Sequence, residues 1–129
     1  MWPTLKDKGS DKNMVLKEVY RENFENANAS DLAAATPTWN IRPSKANTAE
    51  HAPFNIIWIF NDSDEKLQVA LDGDTDNYVV VNAKGILGFT LEDGISFNVV
   101  DIVNLSATDP AVNEVRVRIA RIRDVQGVV

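Results

Sequence analysis

The sequence FNIIWIF (54–60) begins a series of apolar runs separated by acidic turns, and this series decides the fold. NDSDEK (61–66), LQVALDGDTDNYVVV (67–81) and DGISFNVVDIVN (93–104) follow it. Short runs rich in Val, Ile, Phe and Trp between clusters of Asp, Asn, Gly and Ser are typical of antiparallel strands joined by tight turns. The stretch therefore predicts an antiparallel β unit.

The pattern of apolar residues predicts about six strands. Residues 54–60 are apolar nearly throughout, which predicts a central strand covered on both faces, with Trp58 buried. Residues 67–71 and 115–119 alternate as half-buried strands do, and the alternation slips at Ala120, as at a β-bulge or a strand end. Further strands are expected at 78–81, around 87–89 and at 95–103. The predicted fold class is all-β, an antiparallel β-sandwich or jelly-roll-like domain.

Residues 1–52 are predicted to form an extended N-terminal arm, and residues 53–129 the β-sandwich domain. Residues 25–53 are mostly Ala, Asn, Thr and Pro, too poor in large apolar side chains for a core of their own. We expect the arm either to stay mobile or to lie extended across another surface, with Trp39 and Ile41 as its partner-binding anchors.

Residues 13–24 fit two patterns. Leu16, Tyr20 and Phe24 recur at helical spacing, whereas the residues between them also fit the alternation of a strand. We expect a short helix here, with a strand as the open alternative.

The composition bounds the class of protein. A chain of 129 residues is the size of one domain, and the absence of Cys excludes disulfides, thiolate zinc sites and thiol nucleophiles. The polar N-terminus and the lack of an apolar run of about 20 residues predict neither a signal peptide nor a membrane span. We expect a soluble protein made in the cytoplasm.

The net charge of -6 is unevenly distributed. Residues 1–52 carry seven acids and seven bases, whereas residues 53–129 carry twelve acids and six bases. An acidic surface repels phosphate backbones, so nucleic acid is not an expected partner.

Four of the bases in the second part form a cluster, and they are Arg116, Arg118, Arg121 and Arg123. Arg116 and Arg118 have two interpretations. They form the solvent face of an amphipathic strand and protect its edge, or they bind carboxylates of a neighbouring subunit.

Three acids alternate in the turn after residue 71, as they do in calcium loops, and they are Asp72, Asp74 and Asp76. An EF-hand would need Gly and Glu where this chain has Asn77 and Ala83, so that motif is excluded. A looser calcium site with Asp62 or Asp64 stays open beside the ordinary interpretation, a solvated hairpin turn.

His51 is the single histidine and lies in a polar segment without a recognisable Ser or Asp partner motif. A surface residue is the expected role, rather than a general base. The sequence thus predicts no catalytic, cofactor-binding or metal-binding residues, and we expect a protein that is not an enzyme.

The stretch NIIWIFNDSDEKLQVALDGDTDNYVVVNAKG (55–85), with the DGI that follows, resembles small virion structural proteins of tailed bacteriophages. In that family a strand ends in an Asn-Asp-Ser-type turn, the next strand closes on Asp-Gly and Thr-Asp, and a short strand leads to a residue-Gly turn. The corresponding positions here are 61–64, 67–73, 75–76, 78–81 and 84–85. The resemblance covers residues 54–122.

This resemblance implies a non-enzymatic part of a virus particle, a capsid decoration or cement protein that acts through protein–protein contacts. The implied partners are the major capsid protein and copies of the chain itself, in a virion assembled in the host cytoplasm. The alternative is a neck, tail or adhesion component that binds a host-surface glycan through Trp39 or Trp58.

Overall fold

In the computed structural model, which describes residues 14–28, 30–34, 38–46 and 48–126, the chain forms eight β-strands. They are β1 (Met14–Glu25), β2 (Trp39–Ile41), β3 (Ile56–Asn61), β4 (Leu67–Leu71), β5 (Val79–Val81), β6 (Ile86–Phe89), β7 (Val100–Asn104) and β8 (Val115–Gln126). Two short 3-10 turns, Thr75–Asn77 and Leu91–Asp93, occupy the two places where Asp and Gly cluster. Within the described residues no helix is long and apolar enough to cross a membrane.

The strands form two antiparallel sheets of four. Sheet A has the order β1-β8-β3-β6, and sheet B has the order β2-β7-β4-β5. Each strand pairs with its counterpart counted from the other end of the chain: β1 with β8, β2 with β7, β3 with β6 and β4 with β5. This is the strand order of an eight-stranded jelly roll. The predicted fold class is confirmed.

The core lies between the two sheets and follows from strand alternation. Ile57 and Val117 of sheet A and Val69 and Ile102 of sheet B are at most 2% exposed and belong to one apolar cluster. Successive side chains of a strand point to opposite faces, so every second residue enters this cluster.

The prediction that β3 is covered on both faces is wrong. Ile57 and Ile59 are buried, whereas Ile56, Trp58 and Phe60 are only partly buried. Among the described strands, none forms a layer over the outer face of sheet A, because both sheets use their inner faces for the core.

The prediction of a helix at 13–24 is also wrong. Residues Met14–Glu25 form β1 and pair with β8 over the whole length of the strand. The apolar spacing allowed both patterns, and pairing with a strand about a hundred residues away decides between them.

The predicted boundary between arm and domain does not separate two units. β1 belongs to sheet A and β2 to sheet B. Leu32 and Ile41 are 2% and 3% exposed, and the Asn104 side-chain amide donates to the Leu32 carbonyl at 2.9 Å. A segment with few large apolar residues joins the core because the rest of the chain supplies its packing partners. Residues 1–13 of the predicted arm lie outside the described residues.

The predicted slip of alternation near Ala120 corresponds to a register shift in the pairing of β1 with β8. Glu18 lies opposite Ile122 and Tyr20 opposite Arg121, so Val19 is an extra residue of β1. The bulge therefore lies on the partner strand, not on β8 itself.

Candidate binding face

Two aromatic side chains lie side by side on the outer face of sheet A. Trp58 and Phe60 are two residues apart on β3, and their rings are nearly parallel, with an interplanar angle of 16° and centroids 6.4 Å apart. Strand alternation places them there, since Ile57 and Ile59 point into the core.

A glycine on the neighbouring strand leaves space for the Trp58 indole. Gly88 of β6 lies opposite Trp58, and a Cβ at this glycine would be 2.3 Å from two ring carbons of the indole. The Trp58 ring therefore lies across the Gly88 backbone, in space that any side chain at position 88 would fill.

Arg116 of β8 borders the aromatic pair. It lies opposite Phe60 in the sheet, with its guanidinium 5.5 Å from the centre of that ring. Its Nη2 also donates to Asp62 Oδ2 at 2.7 Å. A cation over an aromatic face and a carboxylate partner together hold this side chain in one orientation.

Arg118 lies opposite Trp58 and is held differently. Its Nε donates to Asn23 Oδ1 at 3.2 Å, and no carboxylate among the described residues forms an ion pair with it. Of the two predicted partner-binding arginines, Arg118 is thus the one whose charge is not already matched within the described chain.

A shallow groove of about 240 Å³ runs along this end of the sheet. Its lining residues are Asn23, Phe24, Glu25, Phe60, Arg116, Val117 and Arg118. Ile86 of β6, opposite Phe60 and 67% exposed, extends the apolar surface to the edge. We call Trp58, Phe60, Ile86, Arg116 and Arg118 together the binding face.

The structure does not bring the two predicted anchors to this face. Trp39 and Ile41 lie on β2 of sheet B, opposite the buried residues Ile102 and Val100. Both side chains contact the chain's own core, and Ile41 is buried. Burial leaves Ile41 without a surface for a neighbour, whereas Trp39 stays partly exposed.

Carboxylates of the acidic turn at residues 72–77 accept hydrogen bonds from other groups of the chain. Asp72 Oδ1 accepts the backbone N–H groups of Asn98 and Val99 at 2.7 and 3.0 Å, and Asp74 Oδ2 accepts the Asn77 amide at 3.0 Å. Among the residues that the structure describes, no three metal-ligating side chains converge.

A second polar cluster lies where β1 meets the segment before β3. The rings of His51 and Tyr20 form a T-shaped contact, with centroids 5.8 Å apart. Glu22 accepts hydrogen bonds from the Tyr20 hydroxyl and from the Ser44 N–H and hydroxyl. Partial burial, with the Glu22 contact, raises the pKa of Tyr20. Partial burial alone would raise the pKa of Glu22, but these hydrogen bonds outweigh it and lower that pKa.

Sequence reasoning missed Phe60 and Gly88 and assigned Trp58 to the core. The signal was present in the spacing, because an apolar strand at a sandwich surface still alternates and one of its two faces must be the outer one. Gly88 inside a short strand was the second signal, since glycine there often marks a close approach by another group.

Comparison of the chain with known protein families, with curated proteins and with solved structures finds no match.

Proposed function

We propose that this protein is a non-enzymatic structural protein of a bacteriophage virion, which decorates or stabilises the capsid through protein–protein contacts of the binding face. The observation that carries the proposal is the pairing of Trp58 and Phe60 with Arg118 on a sheet face that the core does not use. Large aromatic and arginine side chains are enriched at protein interfaces and often dominate their binding energy.

The shape of the face supports a flat contact. A groove of about 240 Å³ is smaller than the pockets of roughly 300–1,000 Å³ that enclose small molecules. Its edges carry both a cation, Arg118, and a carboxylate, Glu25, which suits a mixed protein surface.

The fold adds support by analogy. Jelly rolls recur in viral capsid proteins and in lectins, which are assembly and recognition proteins, although a fold alone does not determine a function. The stretch that resembles phage virion proteins begins with β3, the strand that carries Trp58 and Phe60.

The test is addition of purified protein to particles assembled without it, in the phage that encodes the chain. Occupancy is measured by quantitative gel analysis of sedimented particles. The combined variant Trp58→Ala with Phe60→Ala should lose binding, whereas Tyr78→Ala, an exposed aromatic residue near β5, should retain it. Absence of the chain from purified particles would contradict the virion role. A folded double variant that binds at normal occupancy would exclude this face.

A glycan-binding component of the neck or tail is the second candidate, favoured by the near-parallel rings of Trp58 and Phe60. Flat aromatic rings offer the apolar surface on which sugar rings stack, and Asn23 and Arg118 add hydrogen-bonding groups beside them. On a glycan array, binding that Trp58→Ala abolishes and Trp39→Ala preserves would favour this function over capsid attachment.

A further inference from the structure

β1 is a long strand at the edge of sheet A. It spans 12 residues, and among the described strands only β8 pairs with it. The Asn26 N–H donates to the Val115 carbonyl, and hydrogen-bonded pairs alternate in an antiparallel ladder, so the backbone groups of residues 21, 23 and 25 point to the open edge. Val15 and Leu16 on this strand are 48% and 65% exposed.

The charges of β1 have an antisymmetric order. In KEVYRE (17–22), Lys17 at the start matches Glu22 at the end, and Glu18 matches Arg21. If two copies of this strand run antiparallel with residue 17 opposite residue 22, every charge in the segment faces an opposite charge. Opposite charges directly across an antiparallel pair stabilise it, and like charges destabilise it.

The bulge at Val19 places the side chains that this register pairs on the same face of the sheet. In a regular strand, Glu18 and Arg21 would lie on opposite faces, because their numbers differ by three. Here Glu18 lies opposite Ile122 and Arg21 opposite Ala120, which are two residues apart on β8 and share its outer face. Glu18 and Arg21 therefore share one face of β1, and residues 17 and 22 share the other.

We propose that two copies of the chain associate through their β1 edges, antiparallel and with Glu18 opposite Arg21 of the second copy. Lysine and bulges commonly protect an edge from pairing, and β1 carries Lys17 and the bulge at Val19. Its charges nevertheless carry both signs in an order that suits one register. Glu18 and Arg21 already form an ion pair at 2.9 Å within one chain, so the symmetric contact would assemble a network of four charges.

The symmetry of this contact bears on attachment to a surface, a consequence that rests on the proposed function, whereas the dimer itself does not. A twofold axis perpendicular to the joined sheet keeps both outer faces on the same side. The dimer would present two binding faces to one surface, and attachment at two points strengthens binding without new contacts.

The decisive test uses two charge variants in the purified full chain. Arg21→Glu makes positions 18 and 21 both negative, and Glu18→Arg makes them both positive. Each variant alone should self-associate at least about ten-fold more weakly than the wild type in analytical ultracentrifugation, because two attractive pairs become repulsive. An equimolar mixture should form a heterodimer with an affinity within about three-fold of the wild type, since opposite signs then face each other across the contact.

This design separates the contact between chains from contacts within a chain. Both variants lose the internal Glu18–Arg21 pair, so only pairing between chains can restore association in the mixture. We expect edge pairs of this kind to associate at about 200 µM. A wild type that stays monomeric at this concentration would overturn the proposal. Variants that self-associate as the wild type does, or a mixture that stays monomeric, would also overturn it.

Cysteine cross-linking checks the register independently, because the chain has no native Cys. Leu16→Cys combined with Asn23→Cys should give a disulfide-linked dimer on oxidation, since the register places these residues opposite each other. The two positions are seven residues apart on one strand, about 23 Å, so they cannot bridge within a chain. The control, Leu16→Cys with Glu25→Cys, is out of register and should cross-link much less. Equal cross-linking of both pairs would overturn the assigned register.

Discussion

The two faces of sheet A are built from the same strands and serve different ends. On the inner face Ile57 and Ile59 are at most 1% exposed and pack in the core. On the outer face Trp58 lies between Gly88 and Arg118, and Phe60 lies between Ile86 and Arg116. Backbone pairing holds both faces equally, but only the inner face needs large apolar side chains for stability. The described residues leave the aromatic rings of the outer face partly exposed, so these side chains are not required to fill the core.

Ile59→Ala should have the largest effect on stability. It removes a fully buried side chain, and such changes cost about 2–5 kcal/mol through lost burial and the remaining cavity. The neighbouring Phe60→Ala should cost less than about 1.5 kcal/mol, because the ring is partly exposed. Urea unfolding of both variants measures the contrast, and equal losses would mean that the outer face is also part of the core.

Ile41→Ala extends the comparison to the segment predicted to be an arm. Ile41 is 3% exposed on β2, so we expect a loss of about 2–4 kcal/mol. Asn40→Ala, its exposed neighbour, should change the free energy of unfolding by less than about 1 kcal/mol. A change near zero for Ile41→Ala would restore the view of an arm separate from the domain.

Gly88→Ala should have an intermediate effect, because the added Cβ overlaps the Trp58 ring. We expect a loss of about 1–3 kcal/mol and a change in tryptophan fluorescence as the indole moves. In a Trp58→Ala background the same substitution should cost clearly less. A double-mutant cycle without such coupling would contradict the close approach of the two residues.

The arginines of the binding face should contribute little to stability. Arg116→Ala and Arg118→Ala should each cost less than about 1 kcal/mol, since both residues are exposed and ion pairs in water are weak. The effect of Arg116→Ala should shrink at high salt, because its partner is Asp62. Thermal unfolding at low and high salt measures both, and a large loss would assign these residues to the fold.

Glu22→Gln should give the smallest effect, and one that depends on pH. The hydrogen bonds to Glu22 lower its pKa below the ordinary value of 4.5, so the carboxylate contributes stability above that value. This contribution is lost as the pH falls through the lowered pKa of the folded state. The difference in unfolding free energy between wild type and variant should therefore be largest near neutral pH and shrink in more acidic buffer. A difference that does not change with pH would contradict the role of the charged form.

The acidic and glycine-containing turns were readable from local chemistry. Asp72 adopts a positive φ of 54° and Gly94 one of 68°, and both stand where the sequence predicted turns. The alternation of residues 67–71 likewise predicted a strand, with Leu67 and Val69 buried on one face, although Ala70 on the other face is buried as well. Such features depend on neighbours only a few residues away, and for this reason composition and spacing were enough to predict an all-β sandwich.

What only the tertiary structure decided are the pairings between distant parts of the chain. β1 became a strand through pairing with β8, and β2 joined sheet B through β7. Local spacing does not record such partners, so residues 13–24 looked helical and residues 25–53 looked like an arm. The sequence also did not determine whether the face of β3 that carries Trp58 is buried. An apolar strand does not show by itself which of its sides another layer will cover. Sequence determined the strands' composition, whereas the packing of the two sheets decided which side chains remained available for binding.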